Sequence, residues 1–213
     1  MTQPIFDDAP KGRKLGRPAD TDSTDTRERI ITCACEKFAS EGFEGTTNKD
    51  IAALAGISSG ALYHYFPSKS DLYVAVCEYI SGVFAELFQR VKNSDSRLEN
   101  RLTMLLAENG KIGRTTPSIV GFITGISAVV KKHPEVARGA DIFSAGFRRM
   151  TLDLIETAIE KEGVLRGGSD NGLADLTVSV LAGLGRMSAR GDEERRAAAG
   201  DMYLRLIQVS PRK

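Results

Sequence analysis

The chain has 213 residues, of which 41% are hydrophobic and 27% are charged, so its composition is that of a globular protein and not of a disordered one. Lys and Arg number 29 against 28 Asp and Glu, so the net charge of +1 neither favours nor excludes a nucleic-acid partner, and any basic surface must be local. Residues 1–25 contain no signal-peptide pattern, and the longest apolar stretch, 118–130, is shorter than the ~20 residues of a membrane span. We therefore expect a cytoplasmic protein with no membrane association.

The three cysteines, Cys33, Cys35 and Cys77, are an odd number and do not form a pattern typical of disulfides. Cys33 and Cys35 are two residues apart, so on one helix they point to different sides. The chain has only two histidines, His64 and His133, and no zinc-binding pattern results. We expect core-packed, reduced thiols, no metal and no cofactor.

Residues 1–25 have three prolines and no hydrophobic periodicity, which predicts a flexible arm. Within it, residues 11–18 read Lys-Gly-Arg-Lys-Leu-Gly-Arg-Pro and place four cations within seven positions. The Gly-Arg-Pro sequence around Arg17, preceded by Arg13 and Lys14, is similar to the core of an AT-hook, whose arginine enters the narrow minor groove of A·T tracts. The alternative is a solvated tail or a cloning remnant.

Three short helical patterns follow the arm. The first covers about 26–41, ends at Gly42 and has apolar residues every three to four positions. Residues 47–50 have the form of a capping box and open a second helix, and Ser58 caps a third over 59–66. A turn of about three residues joins the last two helices, which is the helix-turn-helix layout.

The rest of the chain is also predicted to be helical. An amphipathic run over 69–91 would be roughly 35 Å long, enough to connect two domains. No segment has the period-two alternation of a strand, so we predict an all-α fold. Further helices are predicted at about 97–111, 117–132, 134–161, 172–189 and 192–209, with turns at 113–116, 133–134, 163–171 and 190–191.

The third short helix has the residue types that DNA recognition needs. It begins with small residues, which let a helix end approach the major groove closely. Tyr63 and His64 fall on the side opposite Leu62, where they can contact phosphates and thymine methyl groups. The alternative is that the aromatic residues pack a small core, and this is the interpretation we favour for Tyr65 and Phe66.

Over residues 27–91 the sequence closely resembles the TetR family of bacterial transcriptional regulators. The matching motifs are Phe-Ala-Ser-Glu-Gly-Phe at 38–43, Thr-Thr at 46–47, Ile-Ala at 51–52, Ala-Gly-Ile-Ser at 55–58, residues 60–66, Ser-Lys at 68–69 and Leu72. The resemblance implies a three-helix helix-turn-helix DNA-binding domain followed by a helical-bundle domain for ligand binding and dimerisation. We assign residues 1–25 to the arm, 26–70 to the DNA-binding domain and 71–213 to the second domain.

Position by position, the resemblance implies which residues contact DNA. From the start of the second helix the backbone or bases would be contacted by Thr47, Asn48 and Lys49. Base edges would be faced by Ser59, Gly60 and Ala61, and phosphates would be held by Tyr63, His64 and Lys69, with Tyr65 between core and groove. Because Ser59 and Ala61 are short where many family members have longer polar residues, we expect sparse direct readout, with Lys49, methyl contacts and the arm contributing more.

The resemblance also places a homodimer interface on the last two helices, which matches two half-sites of a palindromic operator. The residues predicted there are Leu176, Val180, Gly183, Leu184, Met202 and Leu206. The alternative is that these residues belong to the internal core.

An apolar pocket for an unidentified small-molecule effector is predicted in the middle helices. Its candidate residues, which also suit an ordinary core, are Met104, Leu105, Glu108, Ile119, Phe122, Ile126, Phe143, Phe147 and Met150. No phosphate-binding loop, metal motif or nucleophile elbow is present, so we expect no enzyme and no catalytic residue. The sequence predicts a ligand-responsive repressor that a small molecule releases from DNA; the alternative is a helical regulator that acts through a protein partner.

Overall fold

The computed structural model describes residues 19–162 and 170–208. All regular secondary structure in these residues is helical, which confirms the all-α prediction. The predicted DNA contacts Arg13, Lys14 and Arg17 lie outside the described residues. The helices are α1 Ala19–Gly45, α2 Asn48–Leu54, α3 Ser59–Tyr65, α4 Lys69–Ser94, α5 Leu98–Thr115, α6 Pro117–Lys132, a 3₁₀ turn Pro134–Val136, α7 Ala137–Glu162, α8 Asp170–Ala189 and α9 Glu193–Gln208.

Local capping interactions define the three-helix unit, α1–α3, as the sequence predicts. Gly42 interrupts α1 with a φ of 74°, and one further helical turn follows it. The capping box at Thr47 is formed, because its hydroxyl accepts from the Asp50 N–H and the Asp50 carboxylate accepts from the Thr47 N–H. The hydroxyl of Ser58 caps α3 by accepting from the Ala61 N–H at 3.1 Å. These short elements therefore begin where a side chain satisfies an otherwise unpaired amide.

The end of α5 is a point where the sequence prediction is wrong. The sequence predicts a turn over 113–116, but α5 continues through Gly113 to Thr115. Gly113 is buried against α8, and a Cβ there would lie 2.5 Å from the Ser188 Cβ and 2.9 Å from the carbonyl oxygen of Gly185. The glycine permits close helix packing and does not end the helix.

Two groups of aromatic side chains organise the core. The first group joins the three-helix unit to α4, to α6 and to the residue directly after α6, and consists of Phe38, Phe43, Tyr73, Phe122 and His133. The second lies between α4 and α7, which run in the same direction, and consists of Phe84, Phe88, Phe143 and Phe147. Because α4 contributes to both groups, it connects the three-helix unit with the rest of the chain.

Arg101 of α5 is buried, with 1% of its surface exposed. Its guanidinium donates to the carbonyl oxygens of Asp95 (2.7 Å), Lys92 (3.1 Å) and Leu154 (3.0 Å) and to the Thr157 hydroxyl (2.8 Å). These bonds hold the end of α4 against α5 and α7. In the described ranges, no helix is long and apolar enough to cross a membrane.

Candidate nucleic-acid interface

Helix α3 has one buried face and one exposed face. Leu62 is fully buried and Phe66, directly after the helix, is nearly so, whereas 53% of the Tyr63 surface is exposed and His64 is exposed beside it. Tyr65 is half-buried at the boundary between the two faces. The helical period therefore directs the ring and hydroxyl of Tyr63 and the imidazole of His64 away from the protein, where they are available to a partner.

The first turn of α3 presents small residues. Gly60 is exposed, and Ser59 and Ala61 on either side of it are half-buried. A Cβ at Gly60 would meet only the Ser58 hydroxyl, at 3.9 Å, so the packing of the protein itself does not require glycine at this position. A glycine here lets another molecule approach the backbone more closely than any side chain would.

The start of α2 precedes this turn in the helix-turn-helix motif. Thr47 and Lys49 are exposed and Asn48 is half-buried. Hydrogen bonds from Thr47 lower the pKa of the Asp50 carboxyl, so Asp50 stays ionised and holds the cap. Within the part of the chain that the structure describes, the Oδ1 atom of Asn48 has little access to solvent and accepts no hydrogen bond. A donor from a bound partner would satisfy this oxygen.

Lys69 is placed differently from the other candidate DNA contacts. Its Nζ donates to the carbonyl oxygens of Phe43 (2.7 Å) and Thr46 (3.0 Å) and lies 4.4 Å from the centre of the Phe43 ring. Two of the three ammonium hydrogens are therefore used inside the protein. At most one remains for a phosphate.

Two arginines of α1 that the sequence motifs do not mark support the helix-turn-helix. Arg29 donates through Nε to the carbonyl oxygen of Ala55, at the turn between α2 and α3, with a distance of 2.9 Å. The guanidinium of Arg27 lies 5.2 Å from the centre of the Phe66 ring, next to the end of α3. Both arginines are on the exposed side of an amphipathic pattern, so periodicity alone could not show which neighbours they meet.

The residues predicted for the dimer interface divide into three groups by their exposure. Leu176, Met202 and Leu206 are 51%, 56% and 65% exposed, an unusual state for large apolar side chains on two neighbouring helices. Val180 and Gly183 are half-buried. Leu184 is buried within the chain, facing the region of Leu106 and Gly200.

The residues predicted for the effector pocket belong to packed regions. Phe122 is part of the first aromatic group, and Phe143 and Phe147 are part of the second. Glu108 lies 3.8 Å from Arg90 of α4. Of the remaining candidates, Leu105, Ile119 and Ile126 are buried and Met104 and Met150 are half-buried. A surface hollow of about 500 Å³ lies along α4 and is lined by Ala85, Glu86, Gln89, Arg90 and Asn93.

Residues 30–76 match the family model described as bacterial regulatory proteins, tetR family. The chain is 29% identical over 134 residues to the nucleoid occlusion factor SlmA of Pasteurella multocida, which covers 61% of this chain and 65% of SlmA. It is 38% identical over 105 residues to the HTH-type transcriptional repressor KstR2 of Rhodococcus jostii, which covers 49% of this chain and 45% of KstR2. These matches span less than two thirds of either relative.

A solved structure has the same fold. The transcriptional regulator FadR of Bacillus subtilis, crystallised in complex with stearoyl-CoA, superposes with a TM-score of 0.69 at 15% identity, covering 87% of this chain and 99% of that one. The family-model match over residues 30–76 confirms the resemblance inferred from the sequence motifs, and the superposition confirms the helical fold.

Proposed function

We propose that this chain, whose residues 30–76 belong to the tetR family of bacterial regulatory proteins, regulates transcription by binding double-stranded DNA in a sequence-specific manner. The observation that carries the proposal is the division of α3, with Leu62 inside and Tyr63 and His64 outside. A helix that is anchored by one face and presents polar rings on the other suits insertion into the major groove.

The proposed contacts follow from this placement. Ser59, Gly60 and Ala61 would lie against base edges, and Tyr63 and His64 would bind phosphates on one side of the groove. Lys49 and the unpaired oxygen of Asn48 would contact DNA from the start of α2. The short side chains of α3 offer few base-specific hydrogen bonds, so we propose that DNA shape contributes to sequence preference.

The exposed apolar side chains of α8 and α9 support a homodimer. Leu176, Met202 and Leu206 would be covered by the same residues of a second copy, as a two-fold interface requires. Two copies would present two α3 helices to successive major grooves, about 34–36 Å apart along one face of the duplex. We therefore propose a palindromic operator with half-sites separated by one helical turn or a multiple of it.

We propose that a small molecule bound among α5, α6 and α7 lowers the affinity for DNA, so that the protein acts as a repressor. FadR, which shares the fold, is complexed with stearoyl-CoA in its crystal structure, and KstR2, which shares part of the sequence, is named a repressor. A ligand shifts the equilibrium only by its differential affinity for the two forms, typically 1–3 kcal/mol. The aromatic groups on α4 would carry such a shift to the three-helix unit.

A second candidate function is that the chain acts through a protein partner, as the sequence left open; the similarity to a protein named a nucleoid occlusion factor, which is not named a transcriptional regulator, keeps this candidate in view. The exposed side chains on α3 are the feature that distinguishes DNA binding from action through a protein partner alone. A regulator working through protein alone has no need of Tyr63 and His64 on an exposed helix next to a glycine.

Fluorescence anisotropy with the DNA upstream of the chain's own gene tests the proposal. The variant is Tyr63→Ala, and the matched control is Tyr79→Ala, which removes an exposed tyrosine from α4. Tyr63→Ala should bind at least tenfold more weakly, a loss of about 1.4 kcal/mol, while Tyr79→Ala should bind as the unmodified protein does. Equal affinity of the two variants would contradict DNA recognition by α3 and leave the protein-partner function as the better candidate.

A further inference from the structure

Side chains donate hydrogen bonds to the backbone carbonyl oxygens in the segment that follows Gly42 and in the part of α1 before it. Thr46 is fully buried, and its hydroxyl shares its one hydrogen between the carbonyl oxygens of Gly42 (2.7 Å) and Lys37 (3.1 Å). Lys69 then donates to the carbonyl oxygens of Phe43 and Thr46. Carbonyls at the end of a helix have no helical partner, and a cation is the most favourable donor for them.

The same segment also contacts the second domain. The Phe43 ring lies 4.6 Å from the His133 ring, and the Glu44 carboxylate lies 3.1 Å from Nζ of Lys132 at the end of α6. Lys132 and His133 lower the pKa of the Glu44 carboxyl, so Glu44 carries its charge at neutral pH. Residues 43–46 are therefore held by α4 on one side and by the end of α6 on the other.

We propose that Lys69 is a positioning residue for DNA binding: its ammonium orders residues 43–46 and so fixes the three-helix unit on α4, and it is not a phosphate contact. This inference rests on the proposed function and changes the role that the family resemblance implies for Lys69. The bonds to two carbonyl oxygens and the ring of Phe43 beneath the ammonium hold it within the protein, so a phosphate could bind only its one remaining hydrogen or would have to break these contacts.

Salt dependence distinguishes the two roles. A lysine that neutralises a phosphate releases counterions, so its removal reduces the slope of log affinity against log salt by about 0.9 for each phosphate neutralised. A lysine that orients the three-helix unit adds no counterion release. Its removal lowers the fraction of molecules that are ready to bind and weakens affinity by the same factor at every salt concentration.

The experiment compares Lys69→Met with Lys49→Met, a matched control in which the same substitution removes an exposed cation from the start of α2. Anisotropy titrations of a duplex bound by the unmodified protein are run from about 50 to 300 mM salt, well below the melting temperature of each variant. We expect Lys69→Met to bind about tenfold more weakly with an unchanged slope, and Lys49→Met to reduce the slope by about 0.9 per protomer. A reduced slope for Lys69→Met, or an unchanged affinity, would overturn the proposal.

A milder variant tests the positioning role in case Lys69→Met does not fold. Phe43→Leu retains the carbonyl group but removes the ring under the ammonium, and it should weaken DNA binding about two- to fivefold, again with an unchanged slope. A stronger or equal affinity would contradict the positioning role.

Hydrogen exchange gives a readout that does not depend on DNA. In Lys69→Met the amides of 43–47 and of α2 should exchange faster than in the unmodified protein, and in Lys49→Met the amides of 43–46 should not. Failure of the unmodified protein to bind DNA would contradict the proposed function alone. Unchanged exchange in Lys69→Met would contradict the ordering role of Lys69 whatever the DNA result.

Discussion

Gly121 of α6 packs against Ala39 of α1 so closely that a Cβ at position 121 would lie 3.1 Å from the Cβ of Ala39. This contact joins α6 to the first helix of the three-helix unit. Four residues later in α6, a Cβ at Gly125 would have no atom within 4 Å. Only one of the two glycines is therefore required for packing, although both lie in the same helix.

Gly121→Val should force α6 away from α1, because the branched side chain has no space at Ala39. We expect the free energy of unfolding to fall by about 1–3 kcal/mol, the usual cost of overpacking. Gly125→Val is the matched control and should change it by less than about 0.5 kcal/mol, since valine and glycine differ little in helix propensity. Urea unfolding followed by circular dichroism measures both, and equal decreases would show that Gly121 is not at a tight contact.

Arg101→Leu should strongly destabilise the protein. The substitution leaves the carbonyl oxygens of Lys92 and Asp95, at the end of α4, without the donor that Arg101 supplies. Each buried polar group left unpaired costs about 1–3 kcal/mol, so we expect the free energy of unfolding to fall by at least about 2 kcal/mol.

The control is Arg97→Leu, which removes an exposed arginine four residues earlier. Its guanidinium lies 4.0 Å from the Asp95 carboxylate, and such surface pairs contribute about 0–1 kcal/mol. Urea unfolding of both variants makes the comparison. A decrease in Arg101→Leu no larger than in Arg97→Leu would contradict the anchoring role of Arg101.

Leu206→Glu should convert the proposed dimer to monomers. The substitution places a carboxylate where two copies would bury the most exposed large apolar side chain among the described residues. Leu54→Glu, on the exposed side of α2, is the control and should leave the mass unchanged. Sedimentation velocity gives the mass directly; a dimer in Leu206→Glu would place the interface elsewhere.

The rate at which each cysteine is alkylated should be lower the more its thiol is buried. Burial raises the pKa of the Cys35 thiol to about 11 and that of the Cys77 thiol to about 12, so at pH ~8 both remain protonated and unreactive. Cys33 is half-buried, and its pKa is raised less. We expect iodoacetamide at that pH to modify Cys33 first, with Cys35 and Cys77 reacting only on unfolding. Peptide mass mapping would contradict this burial pattern if all three reacted at one rate.

Removal of residues 1–19 tests the basic arm, whose role rests on sequence alone. If Arg13, Lys14 and Arg17 contact DNA, the affinity should fall and the salt slope should decrease by about 0.9 for each phosphate that the arm neutralises. The same titration on A·T-rich and G·C-rich flanks should show the weaker binding mainly on A·T-rich DNA. An unchanged slope would identify the arm as a solvated tail.

The elements that the sequence predicts well are those set by local chemistry. Thr47, Ser58 and Ser68 each begin a helix through a hydrogen bond to a residue three positions later, and such bonds depend only on neighbouring residues. Periodicity likewise separates Leu62 from Tyr63, because the two faces of a helix follow from its geometry.

The sequence could not predict which residues that are far apart in the chain contact each other. Gly113 is typical of a turn, yet it is a helix contact, because its partner Ser188 lies on another helix. No local pattern shows that the ammonium of Lys69, for which the resemblance implies a phosphate contact, also meets the carbonyls of residues 26 and 23 positions earlier in the chain. The partners of Arg101 on α7 likewise could not be predicted from a local pattern, because they lie more than 50 positions later in the chain.

The most direct test of the central claim is selection of DNA from a random pool by the purified protein, followed by sequencing. We expect one enriched motif with two-fold symmetry, with half-site centres about 34–36 Å apart or a multiple of that distance. Tyr63→Ala should abolish the enrichment, and Tyr79→Ala should retain it. A pool without any enriched motif, or one that Tyr63→Ala enriches equally well, would contradict recognition of DNA by α3.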